Sequence, residues 1–469
     1  MNTRIESDSI GSIKVPIEAY YGVQSLRAHN NFYITGKGMN PTLIISLAEI
    51  KKAAAITNNK AGFLTDNIAK AIITACDEII SGKLHDQFIV DPIQGGAGTS
   101  ANMNANEVIA NRAIELLGGN KGDYTIVHPN DHVNMAQSTN DVFPTAGKLS
   151  VLTLLPRAIA QLQRLYNALV VKSAEFDNII KMGRTQLQDA VPIRLGQSFN
   201  AYASVVKRDI DRLNKAQKEM LTINIGATAI GTSINATPEY LSNITANLQT
   251  VTGKKIVQAD DLIDATQNLD SFVSVSGILK TCAVNLSKIS NDLRLLSSGP
   301  KTGLAEINLP AKQNGSSIMP GKINPVIPEV VSQVAFNIIG NDFTITMAAE
   351  SGQLELNAFE PVLFYNLFES IETLENATRT FVDNCITGIT ANEERCKELL
   401  DQSVGTATAL CPYIGYKKSA EIAKTALKTG KTVTTLVLEG GFLTETELQD
   451  ILNPVAMTQI EAKIDKCAI

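Results

Sequence analysis

Phe272, Val275, Leu279, Cys282, Leu286, Ile289, Leu293 and Leu296 follow one another at intervals of three and four residues, which draws one apolar stripe along a long helix. Leu155, Ile159, Leu162, Tyr166, Leu169, Ser173 and Phe176 repeat that spacing, and a third stripe runs from Phe199 through Tyr202, Val206, Ile210 and Leu213 to Met220. Two further segments of this texture fit between Pro325 and Ser351 and between Pro361 and Cys385. Long stripes need long partners, and the economical way to bury five of them is a bundle whose helices cross at shallow angles. Stretches such as SFVSVSGILKTCAV place small and apolar residues where a lone bundle would carry charge. A helix apolar around most of its circumference is buried on most of it. That favours a closed homo-oligomer over a monomer with small domains laid across those faces.

The regions on either side of the stripes differ from them. Residues 1–140 mix short segments: an extended, turn-rich start through Phe32, Tyr33 and Ile34, helices expected around 41–60 and 67–81, then the glycine-rich run QGGAGTSANMNANEVIANRA. The long-helix texture fills 141–393, and 394–469 return to short helices and turns, which gives three regions. With 44% hydrophobic but only 5% aromatic residues, the core is filled by aliphatic side chains. A chain of 469 residues buries enough surface to fold without a metal or disulfide. Its net charge of −6 supplies no electrostatic reason to bind nucleic acid or an anionic membrane. Cys76, Cys282, Cys385, Cys396, Cys411 and Cys467 have no C-x-x-C spacing and read as reduced, buried small hydrophobes. No apolar targeting or membrane-spanning run occurs in the sequence, so a soluble, unsecreted, cytoplasmic protein is expected.

Polar, glycine-flanked clusters interrupt this scaffold at four places: Gly95–Asn102, Met135–Asp141, Gly183–Asp189 and Gly315–Pro325. Each sets hydroxyls and amides beside backbone N–H groups, a combination suited to small carboxylates. Taken singly, each is also what a helix cap or a turn looks like. The fourth, GSSIMPGKINP, exceeds a cap's needs: two glycines bracket two serines, and a lysine and an asparagine follow. Glycine ends around a polar interior are the pattern of a closing catalytic loop. Rival chemistries lack their motifs: there is no G-x-S-x-G, no G-x-x-x-x-G-K-[ST], no H-E-x-x-H and no Ala-Ser-Gly tripeptide. QGGAGTS is not a dinucleotide fingerprint, and Pro129 between His128 and His132 argues for a turn or helix start over a metal pair.

GSSIMPGKINPVIPE resembles the signature of the aspartase/fumarase superfamily, and the other three clusters fall in that family's order. The similarity runs from RIESDSIGSIKVP to ILNPVAMT. Within the family, AYYGVQSLRAHNNFYITG, VDPIQGGAGTSANMNANEVIANRA and GTATALCPYIGYKKSAEIAK look more like the aspartate ammonia-lyase branch than class II fumarase. The resemblance implies a mainly α, three-domain fold: residues 1–140 mixed and mostly helical, 141–393 a long five-helix bundle, and 394–469 a small helical domain. It also implies a homotetramer with a twenty-helix core, active sites shared by three subunits, and reversible anti-elimination of ammonia from L-aspartate to fumarate. No cofactor is implied, though some relatives are activated by Mg²⁺.

The chemistry implied is removal of a proton from the carbon beside the side-chain carboxylate. That C–H is far too weak an acid unless hydrogen bonds stabilise the developing aci-carboxylate. By similarity Ser316, as its alkoxide, is the base, and Ser317, Thr99, Ser138 and Thr139 bind the carboxylate where charge builds. Thr185, Lys322 and Asn324 would hold the α-carboxylate, and Asn140 with Gln186 would meet the departing amino group. Gln186 stands where fumarases and some aspartases carry His, and an amide cannot take a proton. Ser233 and Cys411 stand where relatives more often carry Gly and Asn. The alternatives are fumarase-like hydration of fumarate to L-malate, a scaffold protein recruited from the family with dead sites, and an adenylosuccinate or argininosuccinate lyase. Intact Ser316, Lys322 and Asn324 argue against the second, and the compact N-terminal segments argue against the third.

Overall fold

The structure, a computed structural model, describes residues 2–453 and 457–458; Cys467 and part of the ILNPVAMT segment lie outside them. All five expected long helices are present. They are α5 (Thr139–Glu175), α6 (Leu195–Glu219), α9 (Asp270–Leu296), α10 (Val326–Glu350) and α11 (Glu360–Asn384). The stripes are their buried faces: Leu155, Leu162 and Leu169 of α5, and Phe272, Val275, Leu279, Cys282 and Leu293 of α9, are all fully or almost fully buried. Preceding them are α1 (Val23–Asn31), α2 (Pro41–Lys60), α3 (Asp66–Ile80) and α4 (Thr99–Leu116). Between α6 and α9 come α7 (Pro238–Thr252) and α8 (Leu262–Gln267). Five short helices, α12 (Glu393–Gln402) to α16 (Glu445–Ile451), close the described chain.

Among the described residues the strands form four two-stranded ribbons. These are β1 (Thr3–Asp8) with β2 (Gly11–Pro16), β3 (Ile180–Thr185) with β4 (Gln188–Arg194), β5 (Thr222–Ile223) with β6 (Val257–Gln258), and β7 (Ile307–Asn308) with β8 (Thr390–Ala391).

Packing divides the chain into two compact units that cut across the three consecutive regions read from the sequence. The first holds the chain to Ala160, Asp211–Ala283 and Phe336–Glu375; the second holds Gln161–Ile210, Val284–Ala335 and the chain from Asn376. In the first unit α2 is a well-delimited helix: Asn40 accepts the Thr42 N–H at 2.8 Å, Pro41 stands at the first helical position, and α3, α4 and α7 pack on it. In the second unit Ala407, Leu410, Ile422, Ala426, Val433, Val437 and Leu448 form a small apolar core. Cys76, Cys282, Cys385 and Cys396 are buried, as small hydrophobes should be, while Cys411 is half-buried.

Two helices of the first unit depart from the sequence reading. The turn-rich start contains α1, whose leading N–H groups are capped by distant carboxylates rather than by a neighbour. Glu107 accepts from Gly22, Gln24 and Ser25 at 2.8, 2.8 and 3.0 Å, and Glu6 accepts from Val23 at 2.9 Å. The glycine-rich run continues into α4, whose amphipathic pattern is hidden because Asn102, Asn104, Asn106 and Asn111 are buried on it.

Candidate active site

The first two polar clusters lie in the first unit and the last two in the second. Thr99 opens α4, its N–H donating to Gly96 at 2.9 Å. The preceding Gly98 has φ +88°, and a Cβ there would stand 2.3 Å from the Phe143 ring, so the turn into α4 requires glycine. Exposed Thr99 lines a cavity of about 580 Å³ that also meets Arg27, Gln24, Glu107 and His128. The sequence reading passed over Arg27, whose guanidinium is bound to Asp8 at 2.8 and 3.0 Å. His128 caps a single helical turn, Pro129–Val133, that contains His132, and the His128 N–H donates to His132 Nδ1 at 2.9 Å.

The second cluster starts α5, and the cap reading holds for Ser138. Its Oγ accepts the Asn140 N–H at 3.2 Å, while Asp141 accepts the Ser138 N–H at 2.9 Å, a reciprocal pair in the manner of a capping box. The start of a 37-residue helix also presents unpaired N–H groups and the positive end of a helix dipole, so capping and anion binding coexist there. Pro144 lies one turn in. It has no N–H for the Asn140 carbonyl, and Asn224 supplies the missing donor at 3.0 Å. The Asn140 side chain donates to Ala229 O at 2.7 Å, and Asp141 also accepts from Gly226 at 2.9 Å and Thr228 at 3.2 Å.

Beneath this turn lies a buried network with no sequence motif to announce it. Lys51 of α2, wholly buried, donates to Asn134 Oδ1 at 2.8 Å and to Gln137 Oε1 at 3.0 Å. Asn102 and Asn106 of α4 donate to the same Asn134 oxygen at 3.2 and 3.1 Å, and Asn102 also donates to Thr139 Oγ1 at 3.2 Å. The first two clusters are thereby joined. Burial pushes the Asp141 carboxyl up to about 6 and the Lys51 ammonium down to about 7, each opposed by the other's charge. The signal available in sequence was weak: Lys51 stands beside Lys52 and near Glu49 in a helical stretch, and nothing local tells which of the two lysines is buried.

The third cluster is the tip of the β3–β4 hairpin. Thr185 pairs with Gln188 across a two-residue turn in which Gln186 and Leu187 have φ of +53° and +62°, the left-handed geometry that matches strand twist. Thr185 and Gln186 are exposed.

The fourth is a loop closed at its base. Gly315 N–H donates to Lys322 O at 2.7 Å, Asn314 bridges Ile323, and Asn324 Nδ2 donates to Gly315 O at 2.8 Å. That last bond occupies one of the two Asn324 amide N–H groups within the loop itself. Gly315 lets Asn324 approach, since a Cβ would stand 2.7 Å from its side chain. Ser316 Oγ accepts the N–H groups of Ile318 at 3.1 Å and Met319 at 3.0 Å, while Ser317, Lys322 and most of the loop are exposed. Two N–H donors converging on one hydroxyl oxygen favour its ionised form. Among the described residues there is no group of three or more His, Cys, Asp or Glu side chains able to hold a metal ion.

Comparison with known proteins places these segments in context. A family model described as "Lyase" matches residues 11–340, and one described as "Fumarase C C-terminus" matches 407–459. An aspartate ammonia-lyase of Bacillus subtilis is 54% identical over 456 residues, covering 97% of this chain and 96% of the relative. One of Escherichia coli is 50% identical over 455 residues, covering 96% and 95%. Among solved structures, a fumarate lyase:delta crystallin from Brucella melitensis bound to cobalt superposes with a TM-score of 0.95 at 51% identity, covering 98% of this chain and all of the other. A class II fumarase from Schistosoma mansoni gives 0.94 at 38% identity, covering 97% and 99%.

Proposed function

The chain belongs to the aspartase/fumarase superfamily of lyases, and from that premise we infer that it is a carbon–nitrogen lyase. It eliminates ammonia from L-aspartate, reversibly, to give fumarate. The observation that carries this reading is identity of 50–54% to aspartate ammonia-lyases along nearly the whole chain, against 38% to the class II fumarase. Gln186 agrees with that order, because ammonium can depart without a basic side chain at the position.

The residue roles proposed are those the family resemblance implies. Ser316 is the proposed base: its Oγ receives two backbone N–H groups, so an alkoxide there is already solvated by the loop that carries it. Thr99, Ser138, Thr139 and Ser317 are proposed to hold the side-chain carboxylate as it becomes the aci-carboxylate, with two helix N-termini adding positive potential. Thr185, Lys322 and Asn324 are proposed for the α-carboxylate. Asn140 and Gln186 are proposed for the leaving amino group; Asn140 Nδ2 donates one N–H to Ala229, and its Oδ1 is the acceptor that an ammonium needs. These steps call on acid–base groups of the chain alone, so a chelator should leave turnover intact, with added Mg²⁺ acting at most as an activator.

A homotetramer in the cytoplasm, its sites shared by three subunits, and the three regions 1–140, 141–393 and 394–469 complete the proposal. The exposed apolar face of α10 supports assembly: Phe336 is 62% and Phe343 69% exposed, with Met347 one further turn along and no atom near Gly340. Nucleic acid and membrane remain outside the proposed partners; no helix among the described residues is long and apolar enough to cross a membrane. Purified protein given L-aspartate should develop the ultraviolet absorbance of fumarate. Silence with L-aspartate but absorbance with L-malate would move the chain to the fumarase reading.

A further inference from the structure

Glu306 in the second unit is fully buried, and no step of the elimination uses it. Its carboxylate receives Arg184 Nη1 at 2.9 and 3.0 Å and faces Lys181 Nζ at 3.3 Å. Both cations belong to β3, the strand that ends in Thr185. Strict strand alternation would send positions 181 and 184 to opposite faces. The ladder slips between Met182 and Arg184, where Gly183 approaches Val191 O so closely that a Cβ would stand 2.6 Å from it, and this bulge turns both cations to one carboxylate. The Glu306 main chain is held as firmly. Its N–H donates to Leu296 O at 2.9 Å, its carbonyl accepts Asn392 N–H at 2.9 Å, and Ala305 before it takes a left-handed φ of +50°. Ser316 follows ten residues later in the chain.

We propose that Glu306 is a positioning residue: through Arg184 and Lys181 it fixes the register of the hairpin tip that presents Thr185 and Gln186 to substrate. The inference rests on the assignment of Thr185 to the α-carboxylate.

A misplaced tip costs substrate binding more than proton abstraction, so Glu306→Gln should raise KM for L-aspartate about tenfold with kcat within about threefold. Arg184→Lys keeps the charge but loses the planar guanidinium whose Nη1 meets both carboxylate oxygens, and should raise KM several-fold in a fully folded enzyme, which keeps the test open if the Glu306 variant does not fold. Glu306→Gln with Arg184→Gln should be no worse than the worse single change, because both remove one anchor. Unchanged KM in Arg184→Lys and Glu306→Gln, with only thermal stability lowered, would overturn the inference, as would fully multiplicative singles. Thr185→Val separates it from the functional reading. If Thr185→Val raises KM while the anchor variants do not, the inference alone fails; if Thr185→Val leaves KM unchanged, the assignment of the tip fails.

Discussion

The turn at Ser138–Asp141 and the loop at Gly315–Pro325 are both rich in hydroxyls and amides, yet they are built in opposite ways. In the turn, Asp141 accepts three backbone N–H groups, Asn140 is bonded through both its amide and its carbonyl, and buried Lys51 supports the approach through Asn134 and Gln137. The loop bonds chiefly to itself, clasped at Gly315, and its interior is exposed. A group that stabilises developing charge works best when its dipoles are oriented beforehand. A base that must reach a substrate, and then let product leave, works best on a segment with few ties to the rest of the fold. The contrast assigns rigidity to the turn that carries Ser138, Thr139 and Asn140, and freedom to the loop that carries Ser316.

Ser316→Ala tests the contrast most severely. Turnover should fall by roughly a thousandfold or more, with the thermal midpoint almost unchanged because few atoms pack on the loop; residual activity near wild type would place the base elsewhere. Lys51→Met should do the reverse. It leaves Asp141 buried without a facing cation and should lower stability to urea by about 3 kcal/mol, and an unchanged unfolding midpoint would show that the turn does not depend on the network.

A pH series sharpens the same point. Burial raises the Asp141 carboxyl from 3.8 to about 6, so the folding stability drawn from its neutral form is present below 3.8 and lost as pH rises through about 6. Accepting three N–H groups, by contrast, favours the carboxylate. Thus kcat/KM should decline as pH falls through about 6, and Asp141→Asn should remove that limb while lowering activity overall. The smallest effect is expected at Ser233, in the segment whose Gly226, Thr228 and Ala229 hold the turn. Its φ is +57°, so Ser233→Gly should raise stability by about 0.5–1 kcal/mol without altering turnover, as measured by thermal unfolding.

Legibility in the sequence followed the range of the forces involved. The spacing of Phe272 through Leu296, or of Leu155 through Phe176, states helix and buried face together, because a 3.6-residue repeat places those side chains in one line whatever packs on it. The polar clusters were legible for the same reason: Ser138 and Asp141, or Gly315 and Asn324, meet over short separations. Helix α1 was not, because its caps come from Glu6 and Glu107, one of them more than eighty residues away. Helix α4 was not, because asparagines buried by donating to Asn134, Gln87 and Tyr20, outside the helix, look like surface residues in a linear pattern.

The order of apolar positions therefore determined the five long helices, and short-range capping and turn chemistry marked the four polar segments. Which buried charge stands behind each segment was decided by tertiary structure: Lys51 behind the Ser138 turn, Glu306 at the base of the Thr185 hairpin. The reason is that a charge is stable in an interior only when distant parts of the chain fold to meet it, and no local pattern records who will arrive.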